Sequence, residues 1–149
     1  MTCKRRIAFV CYLAVCLLLT GFGVRYYFGH ELMPYHLTAL GVPWASLPES
    51  VRFLLIEFMH GVGAGFLVLG LALFGVLAIP FRRGEPWADW LLPLAGLGMS
   101  ASLVFMLCRV MGHSEARPPI GLLLALIAAQ LLAAFLTLRP CGRCRTARG

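Results

Sequence analysis

GVGAGFLVLGLALFGVLAI, residues 61–79, decides the fold. The run carries no charge, no histidine and no strongly polar side chain. A helix rises about 1.5 Å per residue, so about 20 apolar residues cross the roughly 30 Å hydrocarbon core of a bilayer, and this stretch is long enough. In hydrocarbon the backbone must satisfy its own N–H and C=O groups, so the run is a helix.

Working outward, PFRRGEPW (80–87) breaks the apolar run with two arginines, and residues 91–108 form a second uncharged run. A connection this short predicts antiparallel neighbours. Residues 120–138 follow, with Gln130 the strongly polar side chain among them, and residues 7–24 form an uncharged run near the start. Helices are expected at about 7–25, 47–79, 88–109 and 119–138, with a basic tail over 139–149. The fold class is all-α, a four-helix transmembrane bundle in a single integral membrane domain. Bulk composition agrees: 60% of residues are hydrophobic and 13% charged, with mean hydropathy +0.86. Soluble domains carry about 25% charged residues. In so apolar a chain the net charge of +7 reads as juxtamembrane and not as a nucleic-acid footprint.

Lys4, Arg5 and Arg6 ahead of the first apolar run resemble the start of a signal peptide. The run is long, and Arg25, Tyr26 and Tyr27 follow it in place of a small-residue cleavage site, so it is read as a span. Basic residues then set the orientation. With both ends cytoplasmic, nine lie inside (Lys4, Arg5, Arg6, Arg82, Arg83, Arg139, Arg143, Arg145, Arg148) and four outside (Arg25, Arg52, Arg109, Arg117). Trp87 and Trp90 would mark the inner interface, and Tyr26, Tyr27, Tyr35 and Trp44 the outer one. The basic inner face suits anionic headgroups.

The outer connection between the first two spans carries its own punctuation. Pro34 and Gly41 bracket a short helix over residues 35–40. Ser46-Leu47-Pro48-Glu49 reads as a capping box opening the second span. Starting there, that span measures about 50 Å and stands about three turns above the hydrocarbon. Small residues let helices approach in lipid. Gly61 and Gly65 on the second span, with Gly96 and Ser100 on the third, predict contact between those two helices. A homo-oligomer or a membrane partner is the other use of such a motif. Gln130 reads as interhelical glue.

Ionisable groups form one layer near the outer boundary: Arg25, Glu57, His60 and Arg109 fall at similar depth when counted from the inner ends of their helices. Glu57 and His60 share a face at i, i+3, and Glu57 with Arg109 is the expected ion pair. His30, His36, His60, His113 and Glu57 are the candidate metal ligands, since imidazole and carboxylate suit transition metals. Glu57-x-x-His60 has the spacing found in di-iron bundles, but occurs once and lacks the further carboxylates those sites need. A structural layer of ion pairs and hydrogen bonds is the favoured reading, and no cofactor is implied.

Cys141-Gly142-Arg143-Cys144 is a CxxC in a basic setting, which favours thiolates. A zinc site there would need two more ligands, with only Cys3 near. Four-helix membrane thiol oxidoreductases keep CxxC pairs at the outer or quinone-facing end of the bundle. This pair faces inward, and Cys108 alone lies outside, so that comparison fails.

Gly29-His30-Glu31-Leu32-Met33-Pro34-Tyr35-His36, then Leu40-Gly41-Val42-Pro43-Trp44, the second helix, and Ile79-Pro80-Phe81-Arg82-Arg83-Gly84-Glu85-Pro86-Trp87-Ala88 resemble a group of small four-span bacterial inner-membrane proteins of unknown function. The resemblance covers roughly residues 29–95 and implies architecture and a bacterial inner membrane, with no activity attached. The expected role is a non-enzymatic accessory or interaction subunit. Small-molecule or metal handling at the outer polar layer comes second, and membrane oxidoreduction third.

Overall fold

A computed structural model describes residues 2–138 of the chain. Five α-helices form: α1 (Cys3–Tyr27), α2 (Pro34–Leu40), α3 (Glu49–Val76), α4 (Pro86–His113) and α5 (Ile120–Leu138). A 3-10 turn at Trp44–Ser46 lies between α2 and α3, and a π-helical segment, Leu77–Phe81, extends α3. Four of these helices are long and apolar enough to cross a bilayer, with Leu77–Phe81 counted in the second. Large apolar side chains face outward along them; Val68 is 70% exposed and Leu94 73%. That exposure would be costly in water and is neutral in lipid, which fits a multi-pass membrane protein.

Local chemistry explains the ends. Thr2 caps α1 by accepting from the Arg5 backbone N–H at 3.4 Å. Pro34 opens α2, whose missing N–H would be unpaired in any case, and Gly41 closes it in the left-handed region at φ 66°. The capping box expected at Ser46 does not form. α3 starts at Glu49 behind Pro48 with no side-chain cap, and the Ser46 hydroxyl donates to the Pro43 carbonyl at 2.7 Å inside the 3-10 turn. Pro80 lacks an amide hydrogen, so the α-helical ladder cannot run through it, and the chain widens there into a π turn. Gly84 at φ 83° then stops the helix. Its N–H donates to the Phe81 carbonyl, and the Glu85 N–H to the Pro80 carbonyl, which is the Schellman arrangement.

Helix α1 is the hub, packed between α3 and α5, with α4 against α5. Its buried stripe is Ala8, Tyr12, Val15, Cys16, Leu19 and Gly23; that of α3 is Met59, Gly63, Phe66, Gly70 and Leu73. Glycines set the spacing. A Cβ on Gly23 would come within 2.7 Å of the Leu67 backbone nitrogen, and one on Gly63 within 2.8 Å of the Tyr26 carbonyl carbon. Between α4 and α5 the contact is polar. Gln130 is 1% exposed and donates from Nε2 to the Ser100 hydroxyl at 3.0 Å, while a side chain on Gly96 would collide with its amide.

The expected pairing of the second and third spans through small residues is thus corrected. Helices α3 and α4 touch little beyond their connection. Gly96 and Ser100 serve α5, and Gly61 and Gly65 have nothing within 4 Å of where a side chain would start. In lipid both faces of a span are apolar, so hydrophobic contrast cannot select the packed one.

Candidate functional site

Polar groups gather at both ends of the bundle. At the basic end, α1 brings Arg5 against the α3–α4 connection. Its guanidinium donates to the Asp89 carboxylate at 2.8 and 3.2 Å and, through Nε and Nη2, to the Phe81 carbonyl at 3.0 and 2.7 Å. The same guanidinium lies 4.3 Å from the Phe81 ring centroid. Its side chain is 20% exposed and that of Asp89 15%. One residue therefore ties the start of α1 to the π segment and to the first turn of α4. The fork of an arginine allows this; the single ammonium of a lysine could not reproduce it.

The opposite end holds the candidate layer. His60 donates from Nε2 to the Gly29 carbonyl at 3.0 Å and turns Nδ1 toward a Glu57 oxygen at 3.6 Å. Glu57 is 52% exposed, and its pair is local, within α3. Arg109 is exposed, with its guanidinium 5.9 Å from the Phe105 ring, and the Glu57–Arg109 pair does not form. Depth matching put both charges at one level, but α3 and α4 make little contact with each other. Arg25 is likewise exposed on α1. Of the four layer residues the structure brings together only Glu57 and His60.

The remaining histidines scatter. His36 stacks edge-on to Tyr35 at 4.2 Å and to Tyr26 at 5.9 Å, and the Tyr26 and Tyr35 hydroxyls hydrogen-bond to each other. Burial lowers the pKa of His36. His113 donates to the Arg109 carbonyl at 2.9 Å, and His30 is exposed. Among the described residues no three histidine, cysteine, aspartate or glutamate side chains come together in a way that could hold a metal ion. Cys141 and Cys144 lie outside the described residues.

Sequence reasoning missed the Arg5–Asp89 contact. A signal was available: Arg5 precedes Ala8 and Tyr12 on the buried stripe of α1, and Asp89 adjoins buried Ala88 and precedes Leu92 and Pro93 by three and four positions. Charges continuing two core stripes at the same end of a bundle are placed to meet.

The class these features define is a helical, multi-pass membrane protein. In comparisons with protein families, curated proteins and solved structures, nothing matches this chain.

Proposed function

We propose that this chain is a non-enzymatic accessory or interaction subunit of a bacterial inner membrane, with both ends in the cytoplasm. One observation carries the interaction role. Helix α3 uses Gly63 and Gly70 to receive α1 but leaves Gly61 and Gly65 in front of open space. A second transmembrane helix can approach closely over such small residues, gaining packing that lipid chains do not supply as well. The nine-to-four asymmetry of basic residues supports the sidedness. The resemblance to small four-span bacterial membrane proteins supports the compartment.

The test is association in the bilayer. Energy transfer between donor- and acceptor-tagged copies reads self-association, and affinity capture from native membranes reads a different partner. Gly61→Leu with Gly65→Leu should abolish the association and leave the monomer folded, because among the described residues nothing lies within 4 Å of where either side chain would start. Unchanged association in that variant overturns the assignment. A reporter fused after Gly149 should be active only as a cytoplasmic marker.

A further inference from the structure

Above the layer of His60, the first turns of α3 and the 3-10 turn line a shallow, open groove of about 340 Å³, formed by Trp44, Glu49, Arg52, Phe53 and Ile56. Ligand clefts run from about 300 Å³ upward, so a small polar group fits. Arg52 and Glu49 stand three residues apart on one helix face, yet do not pair. Among the described residues the carboxylate contacts to basic side chains are Arg5–Asp89 and Glu57–His60, the second charged on both sides only when the histidine is protonated. Nε of Arg52 is buried with no hydrogen-bond partner, so the guanidinium must find an acceptor through its outer edge or go without one. Trp44 is fixed at the groove by the 3-10 turn, whose Leu47 N–H donates to its carbonyl at 3.3 Å. Phe53 is 65% exposed beside it.

The depth of the groove in the bilayer narrows the ligand. Helix α3 and its π extension run unbroken from Glu49 to Phe81. From Arg82 to Arg52 the rise is about 45 Å, which equals the thickness of a bilayer with its headgroups, about 40–45 Å. Arg52 therefore stands among the headgroups of the leaflet opposite Arg82. An anion alone would face the Glu49 carboxylate as well as the guanidinium. A group carrying both signs a few ångströms apart meets each with its opposite.

We propose that this groove binds the zwitterionic headgroup of a phospholipid, its phosphate on Arg52, its ammonium between Glu49 and the Trp44 ring, and its glycerol end on Phe53 and Ile56. Arginine suits phosphate through paired N–H donors, and an ammonium is attracted to an indole face. This site is independent of the Gly61 and Gly65 face and does not rest on the interaction role.

Native mass spectrometry of the full chain released from mixed vesicles tests it, with phosphatidylethanolamine and phosphatidylglycerol at equal mole fraction. The wild type should retain phosphatidylethanolamine over phosphatidylglycerol by about tenfold, the scale of one charge-assisted hydrogen bond. Glu49→Gln should equalise the two lipids, and Arg52→Gln should lose both. Free phosphoethanolamine at the same concentration should not displace the lipid. Equal retention by the wild type overturns the proposal whether or not either variant folds. So does wild-type retention in Arg52→Gln, and displacement by the free headgroup overturns the lipid assignment.

Discussion

The two ends of the bundle are closed by opposite means. At the basic end a single arginine gathers a carboxylate, a carbonyl and an aromatic ring from two other segments. At the other end α1 and α3 are held by absence of side chain, with the backbones meeting over Gly23 and Gly63. Its charged groups stay local or exposed. Charge density does not distinguish the ends, since both are rich in ionisable residues. Helix approach does. Arg5 finds Asp89 because α1 abuts the α3–α4 connection, whereas Glu57 and Arg109 sit on helices that make little contact with each other. A shared depth is necessary for an ion pair between spans, and a shared contact is what completes it.

The largest effect should come from removing the arginine. Arg5→Gln strands a mostly buried carboxylate and weakens the support of the Phe81 carbonyl, with an expected loss of about 3 kcal/mol. Asp89→Asn in the same chain should recover part of that loss. Unfolding in detergent, followed by helical circular dichroism, measures both, and strict additivity would show that the two groups do not act as a pair.

A smaller loss is expected at the glycine-closed end. Gly63→Ala drives a methyl group into the backbone at Tyr26 and Tyr27, which cannot yield as a flexible side chain can, at a cost of about 2 kcal/mol. Gly61→Ala, two positions away, meets nothing and should unfold with the wild type. Equal effects at the two positions would break the contrast between a packed and an open face of α3.

The smallest effect concerns acid. The folded state favours neutral His36, because burial against Tyr26 and Tyr35 lowers its pKa. An unfolded histidine titrates near about 6.5, so this contribution is complete above that value and is lost as pH falls through the lower folded pKa. Melting temperatures at about pH 7.5 and about pH 5 should therefore differ more in the wild type than in His36→Phe. An identical difference in both would remove His36 from the account of this end.

Spans, connections and the short helix α2 were legible in the sequence because each rests on a local rule. Length and hydropathy mark the spans, while Pro34 and Gly41 punctuate α2. Contacts between helices were not legible. Gly61 and Gly65 form the more familiar motif, yet Gly63 and Gly70, seven residues apart, carry the interface, because α3 presents small residues on both faces. Gln130 could be read as glue from its position, but its partner Ser100 could not, since that depends on which helix lies beside α5. Lys4, Arg5 and Arg6 are equivalent as a charge cluster. Only the direction of the α1 core stripe singles out Arg5.

The arginine contact has a consequence in time. Arg5 precedes Asp89 by 84 residues. At a synthesis rate of about 5–20 residues per second, the arginine is made on the order of 10 s before its carboxylate partner exists. Over that interval α1 must hold its place with the guanidinium in water or among headgroups. Closure of this contact therefore waits for the first turn of α4 and records that the two spans before it, α1 and α3, have been laid down in register.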